Sequence, residues 1–188
     1  MIAIIYRHSM LPGNLRMNIH FEKMTLNDIA LWKEWINISH IKEVWFIEGY
    51  ETSDYIYQKI QGNGHTYPFI IYINDQPIGY IQYCDLYAYR MLTPKPKGLF
   101  INENPGTFCI DLFIAERDYL NKGYGTKIIK QFTKKLIDEF FAKKILIDPA
   151  STNKRAIRCY EKAGFTIVKN AHDGITECII MELTTGEK

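Results

Sequence analysis

A short bend, Leu120-Asn-Lys-Gly-Tyr-Gly-Thr126, separates an apolar stretch at 107–114 from a long segment whose hydrophobic residues recur at helical spacing. No other feature of the chain constrains its fold as much. Thr107 to Ile114 reads as a buried strand. Ile128, Ile129, Phe132, Leu136 and Phe140 then fall on one face of a helix, with Lys127, Lys130, Lys134 and Lys135 elsewhere on it. Gly123 and Gly125 permit a tight turn in which successive backbone N–H groups point one way. Because these groups open a helix, their partial positive charge is aimed at whatever sits there, and a pyrophosphate is the natural ligand. Glycines ahead of a helix also occur as a plain turn. The chain has neither the Gly-Lys-Ser/Thr of a P-loop nor the Gly-x-Gly-x-x-Gly of a dinucleotide fold.

The rest of the chain supplies a sheet for this unit to join. Asn18 to Met24 reads as a strand. Thr25-Leu-Asn-Asp28 offers a hydroxyl cap with a carboxylate three residues on, starting a helix with Leu26, Ile29, Ala30, Trp32, Trp35 and Ile36 on its apolar face. A second short helix is predicted over Thr52 to Ile60. Pro68 to Ile73 and Pro77 to Tyr83 flank Asn74-Asp75-Gln76 as a hairpin. Residues 88–106 carry three prolines and little periodicity, and read as a loop or irregular insertion. Lys144 to Ile147 is a strand ending at Asp148-Pro149. Ser151-Thr-Asn153 caps a helix that Gly164 stops, and Phe165 to Val168 and Glu177 to Leu183 form a last strand pair. This order predicts a single α/β (α+β) domain: a mixed, mostly antiparallel sheet of six to seven strands with helices on both faces.

A length of 188 residues suits one domain, drawn at 17–188, with residues 1–16 as an N-terminal extension or an upstream start. The net charge is only +2 with acids and bases mixed, which argues against a nucleic-acid arm or a polybasic membrane patch. The expected partner is a small molecule, with no nucleic acid and no membrane, for a monomer or homodimer. Cys84, Cys109, Cys159 and Cys178 lack metal-ligand or redox spacing, so a cytoplasmic protein is expected. The five histidines are scattered, and no metal site is predicted.

A few side chains stand out chemically. Asp111 lies in Phe108-Cys-Ile-Asp-Leu-Phe-Ile114, and a carboxylate inside so apolar a strand must be paired, hydrogen-bonded or functional. A structural ion pair or an edge position facing water are its plainer readings. Tyr160 is either a core aromatic or a functional phenol. Asp148 is either a turn residue of Asp-Pro or a carboxylate at a strand end. Trp32 and Trp35 are assigned to the core, and Trp45 is balanced between core and pocket.

Ser151-Thr-Asn-Lys-Arg-Ala-Ile-Arg-Cys-Tyr-Glu-Lys-Ala-Gly-Phe165 resembles the segment near the C-terminus of GCN5-related N-acetyltransferases (GNAT). The Leu-x-x-Gly-x-Gly at 120–125 is similar to that family's pyrophosphate loop. Ser39-His-Ile41, Asn74 to Gln82, Ile110-Asp111, Lys122 to Lys127 and Asp148 to Phe165 also resemble bacterial aminoglycoside 6′-N-acetyltransferases, over roughly residues 17–183.

The resemblance implies acetyl-CoA as co-substrate, in a splay between the strands at 107–114 and 143–148. Backbone near Phe113 and Ile114 would align the pantetheine. Leu120, Asn121, Lys122, Gly123, Tyr124, Gly125 and Thr126 would surround the pyrophosphate, and Asn153 would touch the cofactor near the second helix. It further implies direct attack of an amine on the thioester without an acyl-enzyme. Asp111 would bind and deprotonate the ammonium, Asp148 and Trp45 would help hold the substrate, and Tyr160 would protonate the departing thiolate. Two features depart from the family pattern. Leu120 stands where Gln or Arg is usual, and the insertion carries Arg90, Lys95 and Lys97 with only Glu103 as an acid. The implied reaction is N-acetylation of a small cationic amine, foremost an aminoglycoside 6′-amine. A polyamine, a siderophore precursor or a protein amine are alternative acceptors, and a non-catalytic acetyl-CoA-binding regulatory module is the alternative of another class.

Overall fold

A computed structural model of the chain describes residues 17–45 and 52–186; the extension expected over residues 1–16 lies outside the described residues. Among the described residues one sheet holds β1 (Ile19–Lys23), β2 (Thr66–Ile73), β3 (Gln76–Asp85), β4 (Thr107–Ile114), β5 (Lys144–Ile147), β6 (Thr166–His172) and β7 (Glu177–Thr184). Their spatial order is β1-β2-β3-β4-β5-β7-β6. Every adjacent pair is antiparallel except β4 and β5. The helices are α1 (Ile29–Ile36), α2 (Ser39–Trp45), α3 (Ser53–Gln61), α4 (Leu86–Arg90), α5 (Tyr124–Phe140) and α6 (Lys154–Ala163). No helix among the described residues is long and apolar enough to cross a membrane.

Strand alternation divides the core between the two sheet faces. On one face Ile128, Ile129, Phe132 and Leu136 of α5 pack against Phe69, Ile71, Ile81, Phe108 and Ile110. On the other, Trp32, Trp35, Ile41 and Ile56 from α1, α2 and α3 pack against Ile70, Tyr80 and Phe113. Each such fully buried side chain contributes about 1.5–3 kcal/mol relative to exposure. The mixed sheet, the helices on both faces and the Thr25–Asp28 capping box follow the sequence expectations.

Three local features differ from them. Helix α2 follows α1 after only Asn37-Ile38, a break too short to separate two helices in the hydrophobic pattern. Helix α4 opens the stretch read as a loop, and its signal is Asp85, whose carboxylate accepts from the backbone N–H groups of Tyr87 and Ala88, each at 3.0 Å. Strand β6 runs on to His172 rather than ending at Val168. It is the sheet's outer strand, nearly all of its side chains are exposed, and so it carries little hydrophobic periodicity.

The feature that positions the site is a short ladder. β4 and β5 pair only at Thr107↔Lys144, Phe108↔Ile145 and Cys109↔Leu146, so Ile110 to Ile114 have no strand partner on that side. On its other side β4 is held tightly to β3 over seven residue pairs. Gly79 is required there, because a Cβ on it would lie 2.3 Å from the Phe113 carbonyl oxygen. Gly79→Ala is expected to lower stability by about 1–3 kcal/mol in urea unfolding; an unchanged midpoint would show that the two strands separate freely.

Candidate active site

The parting of β4 from β5 opens a cleft of about 510 Å³. Leu112, Phe113 and Ile114 of β4 form one wall. The bend before α5 forms another. Asn121 and Gly123 both adopt left-handed backbone, with φ of 59° and 80°. This conformation brings the chain into α5 with its first N–H groups lacking intrahelical acceptors, an arrangement suited to an anion. Gly125 makes the bend fit: a Cβ there would meet the Cys159 sulfur of α6 at 3.1 Å. Leu120, Asn121, Gly123, Gly125 and Thr126 line the cleft. Lys122 and Tyr124 were expected with them and do not: Lys122 is exposed, and the Tyr124 ring packs edge-on to Tyr119 at 5.0 Å.

Helix α6 supplies the opposite wall. Asn153 lines the cleft, with its side-chain oxygen accepting from the Ala156 N–H at 3.1 Å as the helix cap, so its amide nitrogen is the part left to meet a ligand. Arg155, Arg158 and Lys162 also line it. Their spacing of three and four residues is legible as one cationic helix face, yet sequence reasoning passed over it. It also missed a role for His40. The His40 Nε2 lies 3.0 Å from the Ile114 carbonyl oxygen and must donate to it, across 74 positions of sequence.

The acidic end of the site is built on a cross-strand pair. Gln82 of β3 stands directly opposite Asp111 of β4, and its Nε2 donates to Asp111 Oδ2 at 3.0 Å. The Gln82 Oε1 accepts from Lys59 Nζ and from the Tyr80 hydroxyl, both at 2.8 Å. Asp111 is therefore a part-buried, hydrogen-bonded carboxylate on a central strand rather than an edge residue facing water; neither it nor Asp148 lines the cleft, whereas Tyr160, which shares their surroundings, does. Asp148, where β5 ends, faces it: ligand-type atoms of Cys109, Asp111 and Asp148 lie within 4.8 Å of one another. Burial, and then the Asp111 carboxylate, push the Asp148 carboxyl up to about 7. Burial also pushes the Tyr160 phenol far above its ordinary value, with Cys159, Asp111, Asp148 and Cys109 adding to the effect. Asp111, Asp148 and Tyr160, scattered in sequence, thus share one electrostatic environment.

Other expected or open positions resolve differently. Trp45 packs against Phe113 at 5.1 Å and Tyr80 at 5.9 Å in the aromatic core rather than lining the cleft. Burial raises all four thiols, Cys84 to about 12 and Cys178 to about 11, so none is a ready thiolate. Glu103 of the insertion pairs with Lys144, and its carbonyl accepts from Arg90 at 3.3 Å.

The family model for the acetyltransferase (GNAT) domain matches residues 25–172. This chain belongs to the GNAT acetyltransferases. Over 157 residues this GNAT chain is 33% identical to the aminoglycoside N(6′)-acetyltransferase type 1 of Klebsiella pneumoniae, covering 81% of this chain and 76% of that one. It is 45% identical over 62 residues to a kanamycin resistance protein of Rhizobium radiobacter, covering 33% of this chain and 57% of the relative. Its fold is similar to the crystal structure of aminoglycoside acetyltransferase AAC(6′)-Ib in complex with coenzyme A and kanamycin. The TM-score is 0.76 at 31% identity, covering 89% of this chain and 95% of that one.

The raised Asp148 gives this GNAT domain a pH-dependent weakness. In the unfolded chain the group loses its proton near pH 4, whereas in the fold it does so only near 7. Between these values folding must take up a proton, so stability falls as the pH climbs through the window. Asp148→Asn is therefore expected to stabilise the protein by about 1–3 kcal/mol at pH 8 and to leave it unchanged at pH 3. Thermal melts at the two pH values check this, and equal effects at both would contradict it.

Proposed function

We propose that this chain transfers the acetyl group of acetyl-CoA directly to a primary amine of a small polycationic acceptor, with an aminoglycoside 6′-amine first in line. The observation that carries the reading is the Asp111–Asp148 carboxylate pair, set beside the buried Tyr160 phenol where β4 and β5 part. Two close acids are a poor structural choice and a good receptor for cations.

An aliphatic amine with a pKa near 10.4 must lose a proton before it attacks, at a cost of roughly 4–5 kcal/mol at pH 7. Asp111 receives the ammonium and accepts that proton. Asp148 takes a second positive charge of the acceptor, giving up its own proton as it does so. The freed amine adds to the thioester carbonyl, the C–S bond breaks, and Tyr160 donates to the departing sulfur. An isolated phenol, with pKa about 10, is a weaker acid than a thiol with pKa about 8.5. Burial makes the Tyr160 phenol a weaker acid still, so it stays protonated until the departing sulfur lies close enough to take the proton. The N–H groups before α5, with Arg155, Arg158 and Lys162, hold the phosphates of the donor, and alignment of the two reactants supplies much of the remaining acceleration.

A protein amine, of lower charge than an aminoglycoside, is the second reading. It is favoured by the insertion, where the acid Glu103 is tied to Lys144, leaving Arg90, Lys95 and Lys97 to discourage a polycation.

Thiol release from acetyl-CoA with kanamycin, spermidine and a lysine peptide side by side tests the proposal. The expected order is kanamycin first, and release with the lysine peptide alone would favour the second reading. Tyr160→Phe is expected to lower kcat by about 10²-fold while calorimetry finds CoA affinity unchanged. Equal loss of both would make the tyrosine structural. Asp111→Asn should lose turnover that rising pH partly restores, since the free amine fraction grows; a residual rate independent of pH would remove its role as base.

A further inference from the structure

Lys59 is buried, 3% exposed, on the face of α3 that meets the sheet. Its Nζ lies 4.4 Å from the centre of the Tyr55 ring and 2.8 Å from Gln82 Oε1. Taking an ammonium out of water is unfavourable, and a hydrophobic residue of similar size would pack the position at least as well. What the charge does there is legible in the amide beside it. Two donors, Lys59 Nζ and the Tyr80 hydroxyl, converge on the same Gln82 oxygen. An amide has one accepting end and one donating end. Its oxygen is therefore turned to Lys59 and Tyr80, and its nitrogen to Asp111, where Nε2 lies 3.0 Å from Oδ2. The reversed amide would set N–H groups against donors and an oxygen against a carboxylate.

We propose that Lys59 is a positioning residue for acetyl transfer: acting through Gln82, it fixes the direction of the amide that keeps Asp111 ionised and oriented toward the acceptor. This rests on the reading of Asp111 as the base. Lys59 itself touches neither substrate nor reacting atoms. Among the described residues, the groups that share the surroundings of Asp111 include Cys84 and Gln82 on β3, Cys109 on β4, Asp148 after β5, and Tyr160 on α6. His65, beside Lys59, is held toward its neutral form by burial and then by the Lys59 charge. Asp148 opposes a charge on Asp111, while the thiols and the phenol are neutral. The Gln82 N–H with Lys59 behind it works in the other direction, by hydrogen bonding to the charged form.

Lys59→Met keeps the stem of the side chain and removes the ammonium. With Oε1 no longer held by it, the amide is free to turn its oxygen to Asp111, which favours the protonated acid. The base form then appears only at higher pH. The acid limb of kcat/KM for the acceptor is expected to move up by about one pH unit. The rate should fall about tenfold below the limb and recover above it, with KM for acetyl-CoA unchanged. Tyr80→Phe removes the second donor without opening a cavity and should move the limb the same way by less. In the double variant Lys59→Met/Gln82→Leu, the rate should match that of Gln82→Leu alone, because the route from Lys59 to Asp111 is already cut.

Titration of the Asp111 carboxyl carbon by NMR, in CoA-saturated protein labelled at aspartate, reads the same midpoint without turnover. If no amine is acetylated yet this midpoint rises in Lys59→Met, the function proposed above fails and the relay stands. A rate loss equal at every pH, or an Asp111 midpoint that stays put in the variants, would reduce Lys59 to a packing residue. Should Lys59→Met not fold, Tyr80→Phe decides by its own midpoint.

Discussion

The site depends on the separation of two parallel strands after three residue pairs. While β4 and β5 run together the sheet is closed; past Cys109↔Leu146 the remaining main chain of β4 loses that neighbour. A buried backbone group without a partner costs about 1–3 kcal/mol, so such a gap persists only where something else meets it. The His40 ring does so at the Ile114 carbonyl. The same gap exposes the N-terminus of α5 and sets the residue at 111 across from the residue at 148. The open bend before α5 and the acid pair are thus two results of one break in hydrogen bonding.

That break is stable because the rest of the sheet is not compliant. β3 and β4 are locked by the close approach at Gly79, and α5 is anchored by Ile128, Phe132 and Leu136 in the core on one face. On the opposite face the tryptophans of α1 and the aromatic cluster of Tyr80 and Phe113 hold β3 and β4 from below. Within this rigid setting the molecule keeps a carboxyl at Asp148 that burial and a like charge work against. Local energetic conflicts of this sort are expected where a fold serves chemistry rather than its own stability.

Much of this was legible in the sequence, and the illegible part has a common cause. The bend at 120–126 was readable because left-handed backbone demands particular residues. Asp111 was readable because a carboxylate among Ile110, Leu112 and Phe113 needs an explanation. Asp148 and Tyr160 were individually ambiguous; Tyr160 does pack in the core, and the convergence of both with Asp111 is what adds a chemical reading. Lys59 gave no signal, and His40 and Gln82 lay in stretches of family resemblance without a role of their own, since the contacts concerned span 23, 29 and 74 positions and depend on strand register. Lys122 and Tyr124 were carried along with a contiguous motif, although residues of a tight bend cannot all face one way. Trp45 shows the converse: a large aromatic near a site is first of all core material, and Phe113 and Tyr80 claim it. The five residues of α4 are too few to display a period.

The state of the four sulfurs has a consequence for the order of events. Burial disfavours the anionic form of every cysteine, including Cys159 on the cleft wall. The polypeptide therefore has no thiolate on which an acyl group could pause between donor and acceptor. Under the direct transfer proposed above, both reactants are seated together before any bond is exchanged. A donor that arrives alone then waits, its thioester spent on no protein sulfur.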